Sequence, residues 1–196
     1  MAARYGLLLL AGDFTQEIAM LFGRLDVVDY QPAGPTDNVP PLMTKAEDGL
    51  VAVGCCNGWT ILCGQYDFNS LPDCSAARFA SGEPVMPHIV YFATEGTSGG
   101  LVFEEYRDGE LTRSYCQCEG VVEQARCINM PVLTSLRGQV DEWILLEEVL
   151  PKDLTANAIV GASVTHFRIN LRPRKSRKSA DAANGRQKWW KLWMAL

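Results

Sequence analysis

Apolar positions in this chain come in short runs separated by turn residues. Tyr5–Leu10 is a continuous apolar run and predicts a buried strand. Phe14, Ile18, Leu21 and Phe22 share a helical face and predict a helix over 14–22, with Asp13 as its cap. Leu25–Tyr30 reads as a short strand, and residues 31–41, with four prolines, as a loop. Leu50–Cys55 and Trp59–Cys63 read as strands joined at Asn57-Gly58, a dipeptide suited to the left-handed backbone of a two-residue hairpin.

Leu71–Ala80 reads as a helix ended by Gly82, and Val85–Ala93 as a strand interrupted by Pro87. LVFEEYR-DG-ELTRSYC predicts a second hairpin, with Asp108-Gly109 as its two-residue turn. Counting outward from that turn puts Arg107 opposite Glu110, Glu105 opposite Thr112, and Glu104 opposite Arg113. Val121–Ile128 is a further candidate strand. Trp143, Leu146 and Leu150 recur at helical spacing within Val140–Leu150, and Val164–Leu171 closes the pattern as a strand. Strands outnumber helices and several join through short turns. The expected fold class is therefore α+β: a single domain with a mainly antiparallel sheet and two or three helices, followed by a basic C-terminal tail.

Charge divides the chain in two. From Arg172 to the end there are eight Lys/Arg and one acid, a charge of +7. Residues 1–171 hold ten Lys/Arg and 22 acids, a charge of −12, so the overall −5 averages two opposite segments. The chain accordingly divides into an acidic α+β domain (1–171), a basic and polar linker (172–185) and an amphipathic Trp-rich segment (186–196). An acidic domain repels nucleic acid and anionic lipid and attracts a cationic protein partner.

The N-terminal apolar run ends at Asp13, too short for an export signal, and no later run approaches the roughly 20 residues of a spanning helix. Seven cysteines, an odd number, without an export signal point to reduced thiols and a cytoplasmic protein.

Four kinds of residue grouping could carry chemistry. Cys63, Cys55 or Cys116 with His88 or His166 would suit thiolate catalysis, Cys63–His88 above all, in a hydrolase or transferase. The cysteines lie in apolar runs, however, where burial raises a thiol's pKa, and structural thiols are the expectation. Cys116 and Cys118 share a strand face, so a chelate with Cys127 is conceivable, but the spacing is not that of a zinc knuckle and no metal is expected. Glu104-Glu105, Asp141-Glu142 and Glu147-Glu148 are adjacent pairs, and neighbours on a strand point to opposite faces. Gly54–Gly58 and Gly96–Gly100 match no phosphate-loop pattern and read as turns. No catalytic residue and no cofactor is expected.

The tail offers candidate binding residues instead. Arg174, Lys175, Arg177 and Lys178 form a basic cluster. At 100° per residue Trp189, Leu192, Trp193 and Leu196 share one face, Trp190 widens it, and Lys188 and Lys191 take the other side. Eleven residues are too few for a stable isolated helix, so this segment would order on contact. An anionic membrane surface, a groove on a protein partner, nucleic acid stacked by Trp, and the chain's own acidic domain are the four possible contacts. Nucleic acid ranks low because the acidic domain opposes it.

GWTILCG (58–64), RFASGEPVMPHIVYFATEGTSGG (78–100) and FEEYRDGELTRS (103–114) occur in that order. Together this layout resembles small bacterial immunity-like and uncharacterised accessory proteins, in which a Trp-bearing strand, a helix, a strand and a Y-x-D-G-x-L-x-R hairpin follow one another. The resemblance implies binding rather than catalysis, often neutralisation of a cognate toxin, and the acidity of the domain agrees with it. The expected function is a non-enzymatic protein-binding module, an immunity-type inhibitor of a cationic partner. Alternatives are a membrane-peripheral accessory protein held at the inner face of the membrane by its tail, and a Cys-dependent enzyme.

Overall fold

The computed structural model describes residues 4–36, 49–64, 75–95, 100–118, 121–126 and 142–171. Nine strands among them form one sheet in the order β2-β9-β3-β4-β1-β5-β6-β7-β8, every neighbouring pair antiparallel. The strands are β1 Arg4–Ala11, β2 Val27–Thr36, β3 Leu50–Cys56, β4 Trp59–Gly64, β5 His88–Glu95, β6 Gly100–Arg107, β7 Glu110–Cys118, β8 Val121–Arg126 and β9 Val164–Leu171. The described helices are α1 Ile18–Arg24, α2 Ser75–Ser81, α3 Glu142–Val149 and α4 Ala156–Val160. The mainly antiparallel α+β expectation holds, with four helices rather than two or three among the described residues.

The helices divide between the two faces of the sheet. Leu7 and Leu9 pack with Leu146, Val149 and Ile159 of α3 and α4, whereas Leu8 and Leu10 pack with Leu21, Phe22, Ala76 and Phe79 of α1 and α2. All four leucines are fully buried. This explains why β1 reads as an unbroken apolar run: a central strand covered on both faces has no solvent side on which to place polar residues. Its partners confirm the central place, β4 on one side and β5 on the other.

Both two-residue turns form as expected. Asn57 and Gly58 have φ of 50° and 78°, Asp108 and Gly109 of 50° and 85°. These positive values give the mirror-image turn whose twist matches that of the flanking strands.

Other expectations need correction. Residues 31–36, read as part of a loop, continue β2 along β9. Pro32 and Pro35 are tolerated because β2 is an edge strand, where a missing N–H donor faces no second neighbour. The first helix begins at Ile18 rather than Phe14, and Asp13 does not cap it. Asp13 Oδ1 instead accepts bonds from Thr15 N (3.0 Å) and Thr15 Oγ1 (2.6 Å) in a local turn. β5 starts immediately after Pro87, at His88.

α2 occupies Ser75–Ser81; the first four residues of that expected helix, 71–74, lie outside the described residues. α4 has no counterpart in the apolar pattern of the sequence. Its five residues, Ala156–Val160, are too few to show periodicity, and its start is marked only by the cap of Thr155 Oγ1 on Ala158 N (3.1 Å).

Candidate functional site

One end of the sheet gathers the β3–β4 turn, the end of β1, the start of β5 and the β6–β7 turn. Gly12 N donates to Gly58 O (2.8 Å), and Asp108 N donates to Pro87 O (3.0 Å). The connection between α3 and α4 folds onto the same end: Asn57 Nδ2 donates to Asp153 O (2.8 Å) and Trp59 Nε1 to Asp153 Oδ2 (2.9 Å). The Trp59 ring meets the His88 ring edge to face, with centroids 4.8 Å apart.

Glu105 lies at the heart of this end. It is 2% exposed, on the β6 face that carries Phe103 toward α3. His88 Nε2 lies 2.6 Å from its Oε1, and Arg107 donates Nε (3.2 Å) and Nη2 (2.9 Å) to the same oxygen. Arg113 Nε donates to Oε2, and Arg113 Nη2 reaches Val149 O at the end of α3 (3.1 Å). The Arg113 guanidinium also lies over the Phe103 ring, 5.3 Å from its centroid. Burial pushes the Glu105 carboxyl up, but the bonds from His88 and Arg113, the Arg113 charge and the bond from Arg107 outweigh it and hold the group at about 2.

This arrangement corrects the expected hairpin register. Arg107 faces Glu110 as expected, but Glu105, not Glu104, faces Arg113. A bulge accommodates Thr112, whose Oγ1 donates to Glu105 O (3.1 Å), and it shifts the remaining pairs by one residue. Glu104 lies on the opposite face and accepts from Tyr106 Oη (3.0 Å). The two carboxylates therefore point apart, as strand alternation requires. A sign of the cluster was present in the sequence: Glu105 and Arg107 are two residues apart on one strand and so share a face.

Cys63 and His88 are not brought together. Trp59 is the β4 residue against His88, and Cys63 stands four residues further along, a distance of roughly 13 Å at strand rise. Burial pushes the Cys63 thiol up to about 12. Burial, then the charge of Asp13, also raises the Cys55 thiol. His166 is buried on β9, and burial lowers its pKa.

Glu147 and Glu148 are exposed, and Glu147 Oε1 accepts from Ala156 N (3.3 Å). Among the described residues no three His, Cys, Asp or Glu side chains are placed to hold a metal ion; Cys127 lies outside them. The tail residues Arg174, Lys175, Arg177, Lys178, Lys188, Trp189, Trp190, Lys191 and Trp193 also lie outside the described residues. No described helix is long and apolar enough to cross a membrane.

Several arginines of the described domain are bonded to acceptors of the fold itself. Arg24 donates to Phe79 O (3.0 Å) and Pro84 O (2.7 Å), and Arg78 Nη1 to Asp26 Oδ2 (2.6 Å). With Arg113 on Glu105, three part-exposed guanidinium groups are engaged by protein acceptors. Among the described residues nine acidic side chains are exposed against four basic ones. Asp13, Asp108, Glu110 and Asp153 are the exposed acids of the turn end just described, with Arg107 and Lys152 as its exposed bases.

No family model matches the chain, and neither curated proteins nor solved structures show a significant match to it.

Proposed function

We propose that the folded domain is a non-enzymatic protein-binding module that takes a cationic partner protein at the turn end of its sheet, as an immunity-type inhibitor would. The observation that carries this reading is the exposed charge: nine acids to four bases among the described residues. Arg24, Arg78 and Arg113 are engaged by protein acceptors and stand outside the four exposed bases. Exposed acids on segments cross-bonded to one another offer a rigid field to a basic partner, and such a field sets association rate and specificity above all.

The test is affinity capture from the native host with the wild-type chain and with a triple variant, Asp13→Lys, Asp108→Lys and Glu110→Lys. A basic protein held by the wild type at 50 mM salt, weakened at 300 mM and lost with the variant supports the reading. Retention by the variant overturns it. So does iodoacetamide-sensitive turnover on a panel of esters, amides and thioesters.

A further inference from the structure

β9 ends at Leu171, which pairs with Val27 at the start of edge strand β2. The last residue before the +7 segment therefore lies beside that edge. β2 there shows the exposed apolar side chains of Val28 (54% exposed) and Tyr30 (36%). A register shift between Val27 and Asp29 leaves Val28 without a pairing partner on β9.

The Tyr30 ring rests edge-on against Phe22 (4.9 Å) and Phe167 (6.1 Å), so its position is fixed while part of its surface stays open. Asp29 is exposed between these two residues in sequence, its side chain on the other face of the same strand edge by alternation, and Glu17 is exposed just before α1, which packs beside β2. Asp26 is already paired with Arg78, and Arg168 is the exposed base nearest the place.

We infer that residues 186–196 dock back onto this β2 edge, with Trp189 and Trp193 against Val28 and Tyr30 and the tail's lysines toward Asp29 and Glu17. Three considerations select this occupant. Fourteen residues, 172–185, separate Leu171 from the amphipathic segment, and a chain of that length spans roughly 20 Å on average, enough to fold back along β2. A tether so short holds the segment at an effective concentration on the order of millimolar, so a contact too weak to join separate molecules still closes. The charges are complementary: residues 186–196 carry three Lys/Arg and no acid, against −12 on the domain. The inference does not depend on the proposed partner at the turn end. β2 reaches that end only through Thr36, which pairs with Val164, whereas Val28 and Tyr30 lie toward the other end.

The test uses the full chain. A zero-length carbodiimide couples lysines to carboxylates in contact, and mixing isotope-labelled with unlabelled protein separates links within one chain from links between chains. The expected result is intrachain links from Lys188 or Lys191 to Asp29 or Glu17, reduced at least fivefold by 0.5 M salt and by Trp189→Ala with Trp193→Ala. Val28→Lys, a change at an exposed position, should lower the Asp29 links similarly while leaving the melting temperature unchanged. Links spread evenly over distant acids such as Glu110 and Glu148 overturn the inference. Links only between chains overturn it in favour of a tail-mediated dimer. Binding of the tail to phosphatidylserine vesicles without any intrachain link overturns it in favour of a membrane contact. Failure of the turn-end variant to lose its partner leaves these outcomes unaffected, so the two proposals are judged separately.

Discussion

His88 Nε2 lies 2.6 Å from Glu105 Oε1, although the two residues are 17 positions apart in sequence. They are diagonal neighbours on adjacent strands: Val90 is the residue directly opposite Glu105, and Arg107 the one opposite His88. The contact ties β5 to β6, while Arg113 brings in β7 and the end of α3. A single buried carboxylate thus joins three strands and a helix.

Removing that carboxylate leaves Arg107 and Arg113 without their shared counter-ion. Glu105→Ala is expected to cost about 3–5 kcal/mol, the usual penalty for breaking a buried ion pair from one side. In a domain of this size that lowers the melting temperature by on the order of 10 °C. Glu105→Gln keeps the shape and an acceptor oxygen and should cost less. Thermal denaturation of both variants checks the order, and equal stability of Glu105→Ala and wild type refutes it.

The same group sets an acid limit. Its folded value of about 2 lies below the ordinary 4.5, so the carboxylate form favours the folded state. Its contribution, at most about 3 kcal/mol, is complete above pH 4.5 and is lost as the pH falls from there toward 2. Urea denaturation at pH 5.5 and pH 3 measures the loss. Glu105→Gln should show a shallower decline over that interval, because it has no carboxylate to titrate.

Trp59→Phe keeps most of the buried ring but removes the Nε1 donor to Asp153 Oδ2. The expected cost is about 1.5–3 kcal/mol, the range for a bond to a charged acceptor. Asp153→Ala, combined with it in a double-mutant cycle, should add little beyond the single change. Full additivity would show that the bond contributes nothing.

Gly54 sits where β3 passes the start of β9. A Cβ there would stand 2.5 Å from Ser163 O and 2.7 Å from Val164 Cγ1. Backbone cannot yield as a flexible side chain does, so Gly54→Ala should cost about 1–3 kcal/mol through overpacking. A urea midpoint equal to that of wild type would show that β9 moves aside without penalty.

Cys63 should resist alkylation. It is 4% exposed, and its thiol is pushed up to about 12 by burial. Native protein treated with iodoacetamide at pH 8 is expected to label the part-exposed Cys55 and Cys56 well before Cys63, which should react only after denaturation. Peptide mass spectrometry reads the order, and early labelling of Cys63 contradicts it.

Local chemistry made much of the fold legible. Asn57-Gly58 and Asp108-Gly109 announced two hairpins because few other residue pairs accept two consecutive positive φ values. The unbroken Tyr5–Leu10 run announced a buried strand. What local patterns could not carry was any feature set by a neighbour distant in sequence. The prolines of β2 suggest a loop until β2 is known to be an edge strand. The five residues of α4 are ordered by a cap and a core contact rather than by periodicity.

The candidate site divides in the same way. By itself the sequence determined the opposite charges of domain and tail, the two turns and the shared strand face of Glu105 and Arg107, since each depends only on residue type and near spacing. Tertiary structure alone decided that Arg113 meets Glu105 instead of Glu104, because one bulged residue, Thr112, moves the register by one. It decided equally that His88 meets Glu105 and Trp59 rather than Cys63, because the β1–β5 and β1–β4 registers set which ends of the strands lie together. Strand order and register are properties of the whole sheet, and no short stretch of chain encodes them.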